Sequence, residues 1–217
     1  MKRLFLFASL LGGAASALAA PATSPTSGLG FDVATRVAST GKSQIPPQTI
    51  KARVLLSGTK ARIETQGAGG RAVVLYTPPF VYRLLPDSKA GVKWKLSKVR
   101  GSEVGGFDPQ QLLRNPDQIR TSLIAAGAKK KQSTSLGGTP VDLFELSRPG
   151  QRFSNARAWL RRSDSLPVRL ETSGGGLKVV VSWSGYKKLP NVNATQFAPP
   201  KGFAIREAQN PPLLPIL

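Results

Sequence analysis

The chain has 217 residues, enough for one domain with a sizeable core, and its 31 Lys and Arg against 11 Asp and Glu give a formal charge of +20. It contains no His and no Cys, which removes the commonest general base, the commonest metal ligands, thiolate nucleophiles and any disulfide framework. No cofactor is expected, and nothing in the residues favours an enzyme.

The first segment reads as an export signal. Lys2 and Arg3 open it, Leu4 to Leu11 form an apolar run too short to span a bilayer, and Ala17-Leu18-Ala19 supplies a small-x-small cleavage pattern. The expectation is a signal peptide over 1–19, cut after Ala19, with no Cys positioned for lipidation. Export places the mature protein outside the cytoplasm, soluble, in a bacterial periplasm or equivalent compartment. Losing Lys2 and Arg3 leaves +18, a field that attracts polyanions and anionic membrane surfaces. Export argues against nucleic acid as the partner.

Residues 20–30 read as a flexible leader rich in Pro, Ser and Thr, followed by one domain over 31–208 and a Pro-rich tail over 209–217. Period-two alternation then dominates. Phe31, Val33, Thr35 and Val37 share a face, as do Ile50, Ala52, Val54 and Leu56. Ser57-Gly58-Thr59-Lys60 turns the chain into a strand carrying Ala61, Ile63 and Thr65. GAGGR makes the next turn, and RAVVLYT and FVYRLL form strands around Pro78-Pro79. In GVKWKLSK, Val92, Trp94 and Leu96 point one way while Lys93, Lys95 and Ser97 point the other.

The middle of the chain changes period. Asp108-Pro109 and Asn115-Pro116 are cap-plus-proline helix starts, and the second helix carries Ile119 and Leu123 on one stripe before stopping at Gly127. Strands resume with VDLFEL, NARAWLRR, LPVRLE and LKVVVSW. About ten short strands with two helices midway describe a mainly β domain, an antiparallel sheet with a small helical insert.

Several patterns that suggest chemistry fail on context. Ser57-Gly58-Thr59-Lys60 matches the S-x-x-K of penicillin-recognising enzymes, but that chemistry places the serine at a helix start, and here it sits in a hairpin turn. GAGG and SGGG lack the residues of a phosphate loop. Asn193-Ala194-Thr195 is a glycosylation sequon by pattern alone. Asp142 and Glu145 fall close together, but their odd spacing on a strand sends them to opposite faces, and they read as surface charges.

What remains is apolar area. Trp94, Trp159, Trp183, Tyr76, Tyr82, Phe80 and Phe197 recur over successive strands. Lining a groove together with Val54, Leu56, Ile63 and Leu96, they would bind something greasy under a helical lid carrying Leu113, Ile119 and Leu123. The basic exterior, with Lys93, Lys95, Lys98, Arg100, Lys129 to Lys131, Arg161, Arg162, Lys187 and Lys188, would face anionic headgroups.

Phe197-Ala198-Pro199-Pro200-Lys201-Gly202-Phe203, with Ile205 beyond, resembles the closing F-x-P-P-x-G-x-x-[IV] strand of the LolA-like periplasmic lipoprotein carriers. Other pieces are similar in order: the meander near Gly58 to Glu64, "LYTPPFVYRLLP", "SDSLPVRLE" and "VVVSWSGYKKLPN". The resemblance implies an unclosed antiparallel β-barrel, a half-barrel covered by helices, whose apolar cavity holds the acyl chains of an acylated lipoprotein or amphiphilic lipid. Two departures stand out. The family's carriers start with a helix, for which residues 22–30 carry no pattern, and their Arg-Pro at the turn into the third strand, which helps hold the lid, is Thr59-Lys60 here. Alongside a carrier, the residues leave open a non-transporting envelope sensor or interaction module on the same fold, and a cationic polyanion-binding domain with a packed core.

Overall fold

The computed structural model describes residues 26–40, 46–67, 70–96, 118–147 and 155–209. The expected signal peptide, the start of the leader, the helix start at Asp108-Pro109, the cap at Asn115-Pro116, Leu113, Lys98, Arg100 and the tail from 210 lie outside them.

The chain folds into one twelve-stranded sheet in the order β12-β6-β5-β4-β3-β2-β1-β11-β10-β9-β8-β7. The strands are β1 (Thr26–Ser39), β2 (Gln48–Ser57), β3 (Lys60–Gly67), β4 (Gly70–Thr77), β5 (Phe80–Leu85), β6 (Ala90–Lys95), β7 (Lys129–Leu136), β8 (Thr139–Ser147), β9 (Asn155–Arg161), β10 (Pro167–Gly174), β11 (Leu177–Val192) and β12 (Ala204–Glu207). Every pairing is antiparallel except β12 with β6. The two ends of the sheet, β12 and β7, do not pair, so the barrel is unclosed. A sheet this wide twists and curls rather than staying flat.

Hairpin chemistry sets the register. Ser57 and Lys60 pair across a two-residue turn whose Gly58 has φ +55°, a conformation glycine adopts without steric cost. The S-x-x-K match is therefore a turn, and the Ser57 hydroxyl donates to the Ser27 carbonyl at 3.1 Å. Ser27 belongs to β1, so the sheet begins within the stretch expected to be flexible: Thr26 to Gly30 pair with the far half of β11.

Because the pairings are in register, residues of one face line up across the strands. Leu29, Leu56, Ala61, Tyr76, Val81 and Trp94 are successive direct partners from β1 to β6. In the other direction Thr35, Val181, Leu170, Ala158, Phe144 and Lys130 run from β1 to β7. These rows form the inner face, and their apolar members other than the buried Trp94 join Phe31, Val33, Val54, Ile63, Val179 and Trp183 in one core.

The single described α-helix, α1 (Ile119–Ala125), lies on that face with Ile119 and Leu123 buried in the same core. It ends as Gly127 predicts: the Ala128 amide donates to Leu123 and the Gly127 amide to Ile124, both at 2.9 Å, with Gly127 at φ +92°. No helix among the described residues is long and apolar enough to cross a membrane.

The opposite, outer face has a second small core. Val73, Leu75 and Leu84 are buried there beneath Tyr82, Phe203 and Ile205. The closing segment is the cover: after a 3₁₀ turn over Ala194–Phe197 it crosses β3 and β4, where the Thr77 hydroxyl donates to the Phe197 carbonyl at 2.7 Å. Arg62 Nη1 donates to the Gln196 carbonyl at 3.0 Å. Gly91 on this face leaves space that Leu84 fills, since a Cβ there would meet Leu84 Cδ2 at 2.7 Å.

Candidate functional site

The site follows from the inner face. Of the residues expected to line an apolar groove, Val54, Leu56, Ile63, Ile119, Leu123 and Trp183 are buried together, with Tyr76 and Leu96 packed against them. Trp94 is buried and directly opposite Val81, on the same face.

Four expected residues face the other way. Phe80 and Tyr82 pair with Lys95 and Lys93, so they stand on the outer face with those lysines, and the Lys93 ammonium lies 4.8 Å from the Phe80 ring centre. The alternation Phe80-Val81-Tyr82 offers aromatics at one parity and a valine at the other, and pairing with Tyr76 and Trp94 sends the valine inward. Trp159 lies between Leu143 and Arg169 on the outer face, because Ala156, Ala158 and Leu160 take the inward parity of β9. Phe197 is 1% exposed and belongs to the closing segment, which Arg62 and Thr77 hold on the outer face through the Gln196 and Phe197 carbonyls.

A polar clasp at the β7–β8 side holds the helix to the inner face. Asp142, expected as a surface charge, has a side chain only 4% exposed. It accepts from Arg120 Nη1 of α1 at 2.7 Å and from the Ser133 hydroxyl at 2.8 Å. Lys130 Nζ lies at 3.0 Å and Arg162 Nε at 4.0 Å. Burial pushes the Asp142 carboxyl up, but the hydrogen bonds from Arg120, Ser133 and Lys130 outweigh it and hold the pKa at about 2. Arg120 also donates from Nε to the Ser165 hydroxyl at 3.0 Å and stacks 5.5 Å from the Phe144 ring centre. One helical arginine thus ties α1 to β8, to the turn before β10 and to the apolar floor. Glu145, on the outer face, pairs with Arg157 at 3.0 Å, so the two acids do diverge.

The inner face ends in a second polar feature beside Phe31. Tyr186 packs against that ring at 5.1 Å and donates its hydroxyl to the Pro167 carbonyl at 2.7 Å. Burial, with Asp164 nearby, pushes its phenol well above the usual range despite the opposing Arg161.

Two pockets among the described residues open on the outer face and at the β12 edge. One of about 620 Å³ lies over β1–β3 and the end of β11, with Asp32, Arg53, Arg62, Glu64, Lys187 and Leu189 around it. The other, about 580 Å³, follows β5, β6 and β12. No three Asp or Glu side chains among the described residues gather as metal ligands.

The open sheet with a helix laid on its apolar face is the architecture that the closing-segment resemblance implies. The same fold occurs in an uncharacterized conserved protein from Thermus thermophilus, with a TM-score of 0.52 and 12% identity over 82% of this chain and 90% of that one. A LolA superfamily protein from Nitrosomonas europaea is similar over 80% of this chain and 91% of its own, with 13% identity and a TM-score of 0.40. The Mycobacterium tuberculosis lipoprotein LppX is similar over 78% and 91%, with 16% identity and a TM-score of 0.46. No family model and no curated protein matches the sequence.

Proposed function

We propose that this chain is an exported carrier that holds the acyl chains of a lipoprotein or amphiphilic lipid against the inner face of its LolA-like sheet, beneath α1. The observation that carries the reading is the construction of the lid. Among the described residues, α1 meets the inner core through two apolar side chains, Ile119 and Leu123, while its remaining hold is the polar clasp of Arg120.

The magnitudes favour exchange. Burying those two side chains is worth roughly 1.5–3 kcal/mol each. An acyl chain of a dozen carbons gains about 0.8 kcal/mol per buried methylene, close to 10 kcal/mol in all. A ligand that displaces the helix therefore replaces more apolar contact than it removes. The clasp is unaffected by apolar exchange and serves as a hinge, returning α1 to its seat when the ligand leaves. The basic surface, +18 after signal removal, draws the protein to anionic membrane surfaces where such ligands reside.

The test is extraction of the protein, purified from its exported form, followed by mass spectrometry. Acylated lipid should be recovered at near-stoichiometric amounts, and Leu123→Asp, which places a charge in the lid's apolar seat, should change that yield at least several-fold. Repeatedly clean extracts from the native protein would defeat the carrier reading.

A further inference from the structure

Among the described residues, one buried side-chain polar atom has no hydrogen-bond partner: the indole Nε1 of Trp183. The side groups around the same face are satisfied within the protein. Thr172 donates to the Asn155 carbonyl at 2.9 Å, Tyr186 to the Pro167 carbonyl at 2.7 Å, and Asp142 is held by its cations. Trp183 itself is 4% exposed and part of the inner core. An unpaired buried donor is costly and rare, and phenylalanine would supply ring packing without it.

Its position is also special. Trp183 pairs with Val33, and immediately beyond, the β1–β11 register slips between Gly30 and Asp32, with Gly185 at φ +66°. On the other flank, the β9–β10 register slips between Pro167 and Arg169, just past the Arg169–Ser182 pair. Such bulges leave backbone unpaired and re-aim side chains, and here two of them bracket one indole.

We infer that the Trp183 N–H donates a hydrogen bond to the carbonyl oxygen at the head of the bound acyl chain, so that the site selects esterified or amide-linked chains over free fatty acids. This rests on the inner-face reading above and adds the ligand's polar group to it. Indole is a donor only, so its partner must be an acceptor. A site this buried penalises a bare carboxylate, whereas an ester or amide carbonyl accepts without bringing a charge. The apolar floor takes the chain, and the indole marks where the chain ends.

The experiment uses methyl octanoate and decane, the alkane delivered from cyclodextrin, against the full chain with ¹⁵N-labelled tryptophan. The indole resonance of Trp183, identified by elimination with Trp94→Phe and Trp159→Phe, should move downfield with the ester and stay in place with the alkane. Trp183→Phe should lose about tenfold more in ester affinity than in decane affinity, a difference of roughly 1.4 kcal/mol. A native indole resonance that ignores the ester, or a variant that loses no more ester affinity than decane affinity, overturns the inference while leaving the groove intact. Failure of the native protein to bind either probe overturns the inner-face reading and this inference with it.

Discussion

Replacing Asp142 with asparagine keeps the shape of the clasp and removes its only negative charge. Arg120, Lys130 and Arg162, at 2.7, 3.0 and 4.0 Å, would then surround a neutral amide. The carboxyl is held from 3.8 down to about 2, a differential of about 2.4 kcal/mol between its charged and neutral forms. Lys130 and Arg162 side chains are 49% and 60% exposed, so solvent screens their share, and we expect a loss of about 1–2 kcal/mol. With a urea slope near 2 kcal/mol per molar, the unfolding midpoint followed by tryptophan fluorescence should fall by roughly 0.5–1 M. The pH dependence has a fixed sign. Folding lowers this pKa, so the stabilisation is complete above about pH 4 and fades as pH falls toward 2, and the asparagine variant should lack that increment. A variant as stable as the native protein at pH 7, with the same acid profile, would refute the clasp.

Phe197→Ala should cost about 3–5 kcal/mol by removing a fully buried ring under the closing segment, yet leave acyl-probe affinity per folded molecule unchanged, because that segment is bonded to Arg62 and Thr77 on the outer face. Loss of binding at intact folding would return Phe197 to the site. Tyr186 gives an alkaline signature: folding holds its phenol protonated while the unfolded chain ionises, so stability should decline as pH rises past about 10. Tyr186→Phe should flatten that slope and lose about 1 kcal/mol at neutral pH with the bond to the Pro167 carbonyl, both readable by chemical denaturation.

Much of the fold is legible in the sequence because alternation survives wherever one face is apolar. The inward parity of β1, β2, β3 and β6 follows from Phe31-Val33, Ala52-Val54-Leu56, Ala61-Ile63 and Trp94 alone. The strand β7 gives no such signal: its run Lys129–Leu136 has no buried residue, and its pairing comes entirely from β8. The parity of Phe80 and Tyr82 is not readable either, since both faces of β5 carry large apolar side chains and only the partners Tyr76 and Trp94 decide between them. Asp142 reads as a surface charge because its burial depends on a cation from a helix twenty-two residues earlier in the chain. Spacing along a strand reports which face a residue takes, and it carries no information about what another segment lays across that face. The Trp183 donor is hidden for a similar reason, as counting aromatic residues measures area and not unmet hydrogen bonds.

The most direct test of the central claim is to bind a diazirine-bearing fatty-acid ester, irradiate it, and map the labelled peptides. The inner-face account predicts label on α1 and on the inward residues of β2, β3 and β11, such as Leu123, Val54, Ile63 and Trp183. Label confined to the outer pocket around Leu55 and Leu189, with α1 and the inward residues untouched, would contradict it.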